Sequence, residues 1–113
     1  MDIQDVERVM MTQTCLRLYS REGQQHQGHL LSDWLLDQAR SIGVLGATVL
    51  RASAGFGRHG LHEDTFFELG GELPIIIELV VTQQQADAML ALCGEQALHL
   101  FYTLTPVTAG FTA

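Results

Sequence analysis

The segment Gly55-Phe56-Gly57-Arg58-His59-Gly60 combines residue types that could bind an anionic ligand. Its glycines let backbone N–H groups approach an anion closely, and the guanidinium of Arg58 is a planar fork of donors. Phe56 could stack on a base or anchor the loop. The alternative is structural, with the glycines forming a turn or bulge after a strand and Phe56 in the core. The residues alone leave both interpretations open.

Two histidine pairs have a spacing that suits a metal site. His59 and His62 lie three residues apart, and His26 and His29 repeat this spacing. On a helical turn it would place both imidazoles on one side, where they could ligate a metal ion. Both pairs fall in predicted loops or at a helix start, where spacing constrains geometry only weakly. Solvated histidines are the usual outcome, and a metal site at His59 and His62 is the alternative.

Motifs that would predict an enzyme are missing from the sequence. It contains no Ser-His-Asp arrangement with a nucleophile elbow, no His-Glu-x-x-His and no P-loop. The acidic residues near the histidines are expected to form a solvated face. No catalytic residue is predicted, and a small enzyme using His59 with Glu63 in an interface cleft is the least supported alternative.

Hydrophobic periodicity divides the chain into strands and helices in the order β-α-β-β-α-β. The predicted strands are 13–20, 46–53, 73–81 and 98–104, and the predicted helices are 29–42 and 82–94. Gly43 and Gly94 are expected to end the helices, Thr82 and Gln85 to form a capping box, and Pro106 to stop the last strand. This order predicts an α+β, ferredoxin-like two-layer sandwich. Right-handed crossovers place the first and third strands at the centre of its antiparallel sheet.

The long connection at residues 54–72 and the apolar run at 73–81 suggest how the domain is used. A connection of this length in a compact domain is usually functional. Both faces of the sheet are expected to be apolar, whereas an isolated sheet with helices on one side would expose a polar face. Covering the second face with another copy of the chain is the simplest solution, so an oligomer is predicted.

Length and charge limit the class of protein. The chain has 113 residues, a mass of 12.5 kDa, 47% apolar residues and a formal charge of -7. We expect one domain at 12–108, a flexible extension at 1–11 and a tail at 109–113. The negative charge disfavours nucleic acid as a partner. The acidic N-terminal residues and short apolar runs predict neither a signal peptide nor a membrane span, which favours a cytoplasmic location.

Three stretches together resemble a known family. They are the residues from Arg51 to Gly57, the pair Arg58-His59 with His62, and the residues from Glu72 to Glu78. They resemble the PII-like proteins of domain-of-unknown-function family 190. Its pattern runs from Arg-Gly and Gly-Phe-Gly through a basic, His-containing loop to Asp-Leu-Pro and an apolar strand. The resemblance covers residues 14–107, with Ala52 in place of the family's Gly and Thr82 where Asp is usual.

The resemblance implies a homotrimer related to the PII signalling proteins, which bind nucleotide in clefts between subunits. Their corresponding loop moves with the ligand and contacts a regulated partner protein. The implied small-molecule ligand is an adenine nucleotide. The residues that we predict to bind it are Arg51, Gly55, Phe56, Gly57, Arg58 and His59. A salt bridge to a neighbouring subunit is the other possibility for Arg51. The Gly-Lys-rich segment that cradles phosphates in PII is missing at residues 95–98, and the chain has no lysine.

Overall fold

The computed structural model describes residues 11–56 and 73–113. Its strands are β1 (Met11–Arg21), β2 (Gln25–His26), β3 (His29–Leu30), β4 (Gly46–Arg51), β5 (Pro74–Val81) and β6 (Tyr102–Ala109), and its helices are α1 (Leu31–Ile42) and α2 (Gln83–Glu95). Four strands form one antiparallel sheet in the order β4-β5-β1-β6. The ferredoxin-like α+β fold is thus confirmed, with the first and third predicted strands at the centre of the sheet.

The main core lies between the central strands and the two helices. Leu16 is opposite Leu79, and Leu18 is opposite Ile77, so these side chains share one face of the sheet. Each of the four is completely buried. Burying such a side chain stabilises the folded chain by about 1.5–3 kcal/mol, which makes this face the main source of stability.

The opposite face of the sheet carries an ion pair at its centre. Arg17 and Glu78 are opposite each other on β1 and β5, with Nε and Oε2 2.8 Å apart. Cys15 is opposite Val80 in the neighbouring row. The expectation that this second face is apolar is therefore wrong at its centre. We call it the open face because both helices contribute their buried residues to the core on the other side.

Helix α1 is amphipathic and begins later than predicted. It buries Leu31, Trp34, Leu35 and Ala39. It ends as predicted at Gly43, whose φ of 87° is accessible to glycine without strain and whose N–H donates to two carbonyls of the last turn. His29 belongs to β3 rather than to the helix, because residues 25–30 form a short hairpin where a loop was expected.

Helix α2 begins with the predicted capping box. The Gln85 N–H donates to Thr82 Oγ1 over 3.1 Å, and the Thr82 N–H donates to Gln85 Oε1 over 2.9 Å. These bonds satisfy two donors that a helix start leaves unpaired. The helix continues to Glu95, so the prediction that Gly94 ends it is wrong. None of the helices in the described ranges is long and apolar enough to cross a membrane.

The last strand begins and ends later than predicted. β6 runs to Ala109 with Pro106 inside it, opposite Thr14. β6 is an edge strand, where a residue without an N–H is tolerated because one side of the strand has no partner in the sheet. Residues 98–101 belong instead to the connection after α2, in which Ala97 and His99 have φ values of 52° and 54°.

Candidate functional site

The candidate site lies at the base of the connection between β4 and β5. Arg51 is the last residue of β4 and is opposite Ile75 of β5. One residue further, the Ala52 N–H donates to the Pro74 carbonyl over 2.9 Å. The two strands therefore stay hydrogen-bonded up to the point where the connection leaves the sheet.

A single carboxylate binds both ends of this connection. Glu22 Oε2 lies 2.8 Å from Nη2 of Arg51, and Glu22 Oε1 accepts the Leu73 N–H over 3.0 Å. The Glu22 N–H also donates to the Leu73 carbonyl over 2.9 Å. Glu22, Arg51 and Leu73 thus form a loop-base clamp that joins the end of β1 to the two strands flanking the connection.

The clamp uses only part of the hydrogen-bonding capacity of Arg51. A guanidinium has five N–H donors in a planar fork, and the Arg51 side chain is 64% exposed. Its other donors can bind a second anion. The salt bridge foreseen for Arg51 is made here within one chain, to a carboxylate that the sequence did not single out.

Gly55 and Phe56 are the described residues of the predicted Gly-Phe-Gly segment. A Cβ on Gly55 would lie 3.0 Å from Cγ of Pro74, which is tighter than nearly all contacts made by real side chains. A glycine therefore lets this segment pass close to the start of β5. The Phe56 side chain is 87% exposed and does not fill the core. Gly57, Arg58, His59 and His62 lie outside the described residues.

A second set of polar contacts joins the β2–β3 hairpin to the end of α2. Nε2 of His26 lies 3.1 Å from Oε1 of Gln96, and Gln27 Nε2 donates to the same oxygen over 3.1 Å. The His26 ring meets the Trp34 ring edge-on at 4.6 Å. Gln27 and Gly28 have positive φ, as a two-residue hairpin turn of type I′ requires. The sequence predicted a loop and a helix start here instead of a hairpin.

An open cavity of about 330 Å³ lies between the end of α2 and the start of β6. Its lining residues are Leu18, Leu90, Cys93, Gly94, Ala97, His99, Leu100 and Tyr102. Burial raises the pKa of Cys93 above its ordinary value of 9.0. The thiol is therefore protonated at neutral pH, which makes it a poor nucleophile. The cavity is an apolar recess with a few polar groups.

Within residues 11–56 and 73–113, no group of three or more histidine, cysteine or carboxylate side chains could hold a metal ion. The predicted ligands His59 and His62 are not among these residues. His26 and His29, the second pair with the same spacing, are described and are cross-strand partners in the hairpin. The hairpin therefore brings together His26 and His29, whereas the metal site predicted from the sequence was at His59 and His62.

Residues 13–109 match the DUF190 family, described as Uncharacterized ACR, COG1993. A UPF0166 protein of Methanocaldococcus jannaschii is 32% identical over 81 residues, which cover 72% of this chain and 75% of that protein. A UPF0166 protein of Aquifex aeolicus is 30% identical over 76 residues, which cover 66% of this chain and 72% of that protein.

Solved structures with the same fold are PII-like proteins. CPII from Thiomonas intermedia, bound to ADP, AMP and acetate, aligns with a TM-score of 0.64 and 15% identity over 90% of this chain and 92% of that chain. CPII bound to ADP and bicarbonate aligns with a TM-score of 0.60 and 20% identity, over 92% of this chain and 94% of that chain. A PII-like protein from Thermus thermophilus aligns with a TM-score of 0.62 and 16% identity, over 90% of this chain and 93% of that chain. At these identities the similarity establishes a common fold.

Proposed function

The chain belongs to the DUF190 (UPF0166) family, and on that premise we propose that it is a homotrimeric regulatory protein that senses an adenine nucleotide in the clefts between its subunits. The structures of CPII, which share its fold, contain ADP. The connection at 54–72 would respond to the nucleotide and alter the contact with a regulated partner protein, as an order–disorder switch does.

The observation that carries the proposal is the arrangement around the loop-base clamp. The clamp holds the Arg51 guanidinium at the mouth of the connection with donors to spare. Phe56 lies five residues further along the chain with an exposed ring. A cationic fork for a phosphate and an aromatic face for a base are the two groups that nucleotide recognition needs. Because the chain has no lysine, we assign phosphate binding to arginine side chains and backbone N–H groups.

The trimeric state is supported by the two exposed edges of the sheet. One edge is β4 and the other is β6, and both carry large apolar side chains that are exposed in the single chain. These are Leu45, Val49 and Leu50 near β4, and Phe101, Tyr102, Leu104 and Phe111 near β6. Two different surfaces that cover each other in successive copies make a heterologous contact, which closes into a ring when the rotation permits. A ring of three copies would cover both edges of every chain.

The proposed mechanism is competition at Arg51. A phosphate bound to the remaining donors of Arg51 would share the positive charge of the guanidinium with the Glu22 carboxylate. It would also place negative charge near that carboxylate, which disfavours the clamp. Because Glu22 also binds Leu73, a weaker clamp would change how both ends of the connection are held. Nucleotide occupancy and loop conformation are then coupled through one side chain.

Isothermal titration of the purified oligomer with ADP tests this proposal. In the Phe56→Ala variant we expect ADP affinity to fall by about 5- to 150-fold, equivalent to the 1–3 kcal/mol that stacking of a base on an aromatic ring provides. Phe56→Tyr is the matched control, because it keeps an aromatic face at the same position and should keep the ADP affinity of the wild type. Equal ADP affinity in the wild type and in Phe56→Ala would remove Phe56 from the site.

An arginine pair tests the phosphate half of the site. The sequence predicts that Arg58 binds the ligand, so Arg58→Ala should weaken ADP binding. Arg40→Ala should leave it unchanged, because Arg40 is an exposed arginine on α1 paired with Asp37 at 3.4 Å. Equal losses in the two variants would mean that arginine acts only through net charge, which would contradict a localised phosphate site.

A further inference from the structure

The β2–β3 hairpin places two histidines directly opposite each other. His26 and His29 are cross-strand partners, separated by the two-residue turn of Gln27 and Gly28. Side chains at opposite positions of an antiparallel pair project from the same side, with Cβ atoms about 4.5–5.5 Å apart. Two imidazoles at that separation can reach one metal ion at the usual nitrogen–metal distance of about 2.0–2.1 Å.

The hydrogen bonds around His26 leave one of its ring nitrogens available for a metal. Gln27 Nε2 is a donor, so the Gln96 atom that it meets at 3.1 Å is an acceptor oxygen. The same oxygen lies 3.1 Å from His26 Nε2, so this hydrogen bond forms in the tautomer whose Nε2 carries the proton. In that tautomer the lone pair is on Nδ1, the ring nitrogen nearer the hairpin backbone. A ligating histidine whose other N–H donates to an oxygen is the usual arrangement in metal sites.

Packing against Trp34 fixes the orientation of the His26 ring. The two ring centroids are 4.6 Å apart, with an interplanar angle of 74°. A ring already held in one orientation loses less conformational freedom when it binds an ion. His29 is exposed, so its side chain can rotate towards the ion without breaking a buried contact.

We propose that His26 and His29 chelate one divalent transition-metal ion of the kind that imidazole prefers, with Cu²⁺ bound more tightly than Ni²⁺ or Zn²⁺. Gln96 acts as a positioning residue that holds the His26 tautomer. Among the described residues no third ligand joins the pair, so the other coordination positions are open to water or to a small external ligand. The site is independent of the nucleotide site proposed above, because it uses none of the same residues.

Trp34 provides a local readout, since it is the one tryptophan of the chain and touches His26. Cu²⁺ bound at the pair would quench its fluorescence. Titration of the purified protein with Cu²⁺ in a non-coordinating buffer should give saturable quenching at one ion per chain. In His29→Gln, which keeps the contacts of His26 with Trp34 and Gln96, we expect the affinity for Cu²⁺ to fall at least about 10-fold.

Three variants make this test specific. His99→Gln should bind Cu²⁺ like the wild type, because His99 is an exposed histidine of the connection after α2. His59→Gln/His62→Gln should also keep the quenching, whereas Gln96→Leu should weaken it about 10-fold by removing the acceptor that orients His26. The proposal is overturned if His29→Gln titrates like the wild type, or if the His59/His62 variant loses the quenching. Melting curves of the metal-free variants confirm that each is folded.

Discussion

The two faces of the sheet differ sharply, although they are built from alternate residues of the same strands. On the covered face, Leu16 and Leu79 are opposite each other and have no exposed surface. One residue further along, Arg17 and Glu78 are also opposite each other but form an ion pair with half-exposed and partly exposed side chains. Because a strand turns successive side chains to opposite faces, a single stretch of sequence serves two purposes. The covered face stabilises the chain, whereas the open face carries a charged pair at its centre.

The difference also predicts where substitutions act. Removal of a buried aliphatic side chain costs transfer free energy and leaves a cavity. Removal of an exposed ion pair changes the free energy of unfolding little, because water already screens both charges. The pKa of Arg17 is raised by its hydrogen bond to Glu78 and by the charge of that carboxylate.

The largest expected effect is at the covered face. Leu79→Ala should lower the free energy of unfolding by about 2–5 kcal/mol, because Leu79 is fully buried between the sheet and the helices. Val80→Ala is the matched control one residue away on the open face. Urea unfolding of both variants at one protein concentration measures the difference. If Val80→Ala were as destabilising as Leu79→Ala, the two faces would not differ in the way described.

A smaller effect is expected at the start of α2, one of the helices that cover the core. Thr82→Ala removes the hydroxyl that accepts the Gln85 N–H, and should cost about 1 kcal/mol. Gln84→Ala, in the exposed first turn of the same helix, should change the stability by less than that. Thermal melts read by circular dichroism distinguish the two variants. Equal melting temperatures for wild type and Thr82→Ala would contradict a stabilising cap.

Glu22→Gln tests the loop-base clamp through binding rather than through stability. Glutamine can still accept the Leu73 N–H, but it no longer neutralises Arg51. If Arg51 binds phosphate, loss of the Glu22 charge should raise ADP affinity about five-fold. This factor corresponds to about 1 kcal/mol, the interaction energy of two unit charges about 4 Å apart in water. Asp37→Asn, which removes a carboxylate from the Arg40 pair on α1, should leave ADP affinity unchanged. Weaker ADP binding by Glu22→Gln would contradict competition at Arg51.

The smallest effects concern the two cysteines, one on each side of the sheet. Burial, and then the charge of Glu78, raise the pKa of Cys15, whereas burial alone raises the pKa of Cys93. A thiol whose pKa is raised by folding contributes stability below its unfolded pKa. That contribution is lost as the pH rises through the folded pKa. Both thiols should therefore react slowly with iodoacetamide at pH 7 and faster above pH 9.0, their ordinary pKa.

Single-cysteine variants separate the two thiols. Cys15→Ser reports on Cys93 alone, and Cys93→Ser reports on Cys15 alone. Rapid alkylation at pH 7 of either folded variant, at the rate of a small free thiol, would contradict a raised pKa.

The fold was predictable because its four long strands and two helices are long enough to show a period. The β2–β3 hairpin was missed because its strands have two residues each, which is too short for an alternating pattern. Pro106 was misinterpreted because a strand tolerates proline only at an edge, and edge positions follow from the sheet order rather than from local sequence.

The candidate site was predictable only where residue type carried the signal. Gly55 and Phe56 stand out as a motif, and Arg51 stands out as a cation at the end of a strand. Glu22 does not stand out, because its partner Leu73 lies 51 residues away in the sequence and the two residues meet only in the folded chain. The hydrogen bond between His26 and Gln96 could not be predicted for the same reason, because these residues lie 70 positions apart in the sequence. Contacts of this kind depend on the tertiary arrangement and have no local sequence signature.

Native mass spectrometry of the purified protein during a titration with ADP tests the central claim most directly, since one spectrum gives both the number of chains and the number of nucleotides. A trimer of the 12.5 kDa chain that takes up as many as three ADP molecules is the predicted result. A monomer or dimer, or a folded trimer that retains no ADP, would contradict the proposed nucleotide-sensing function.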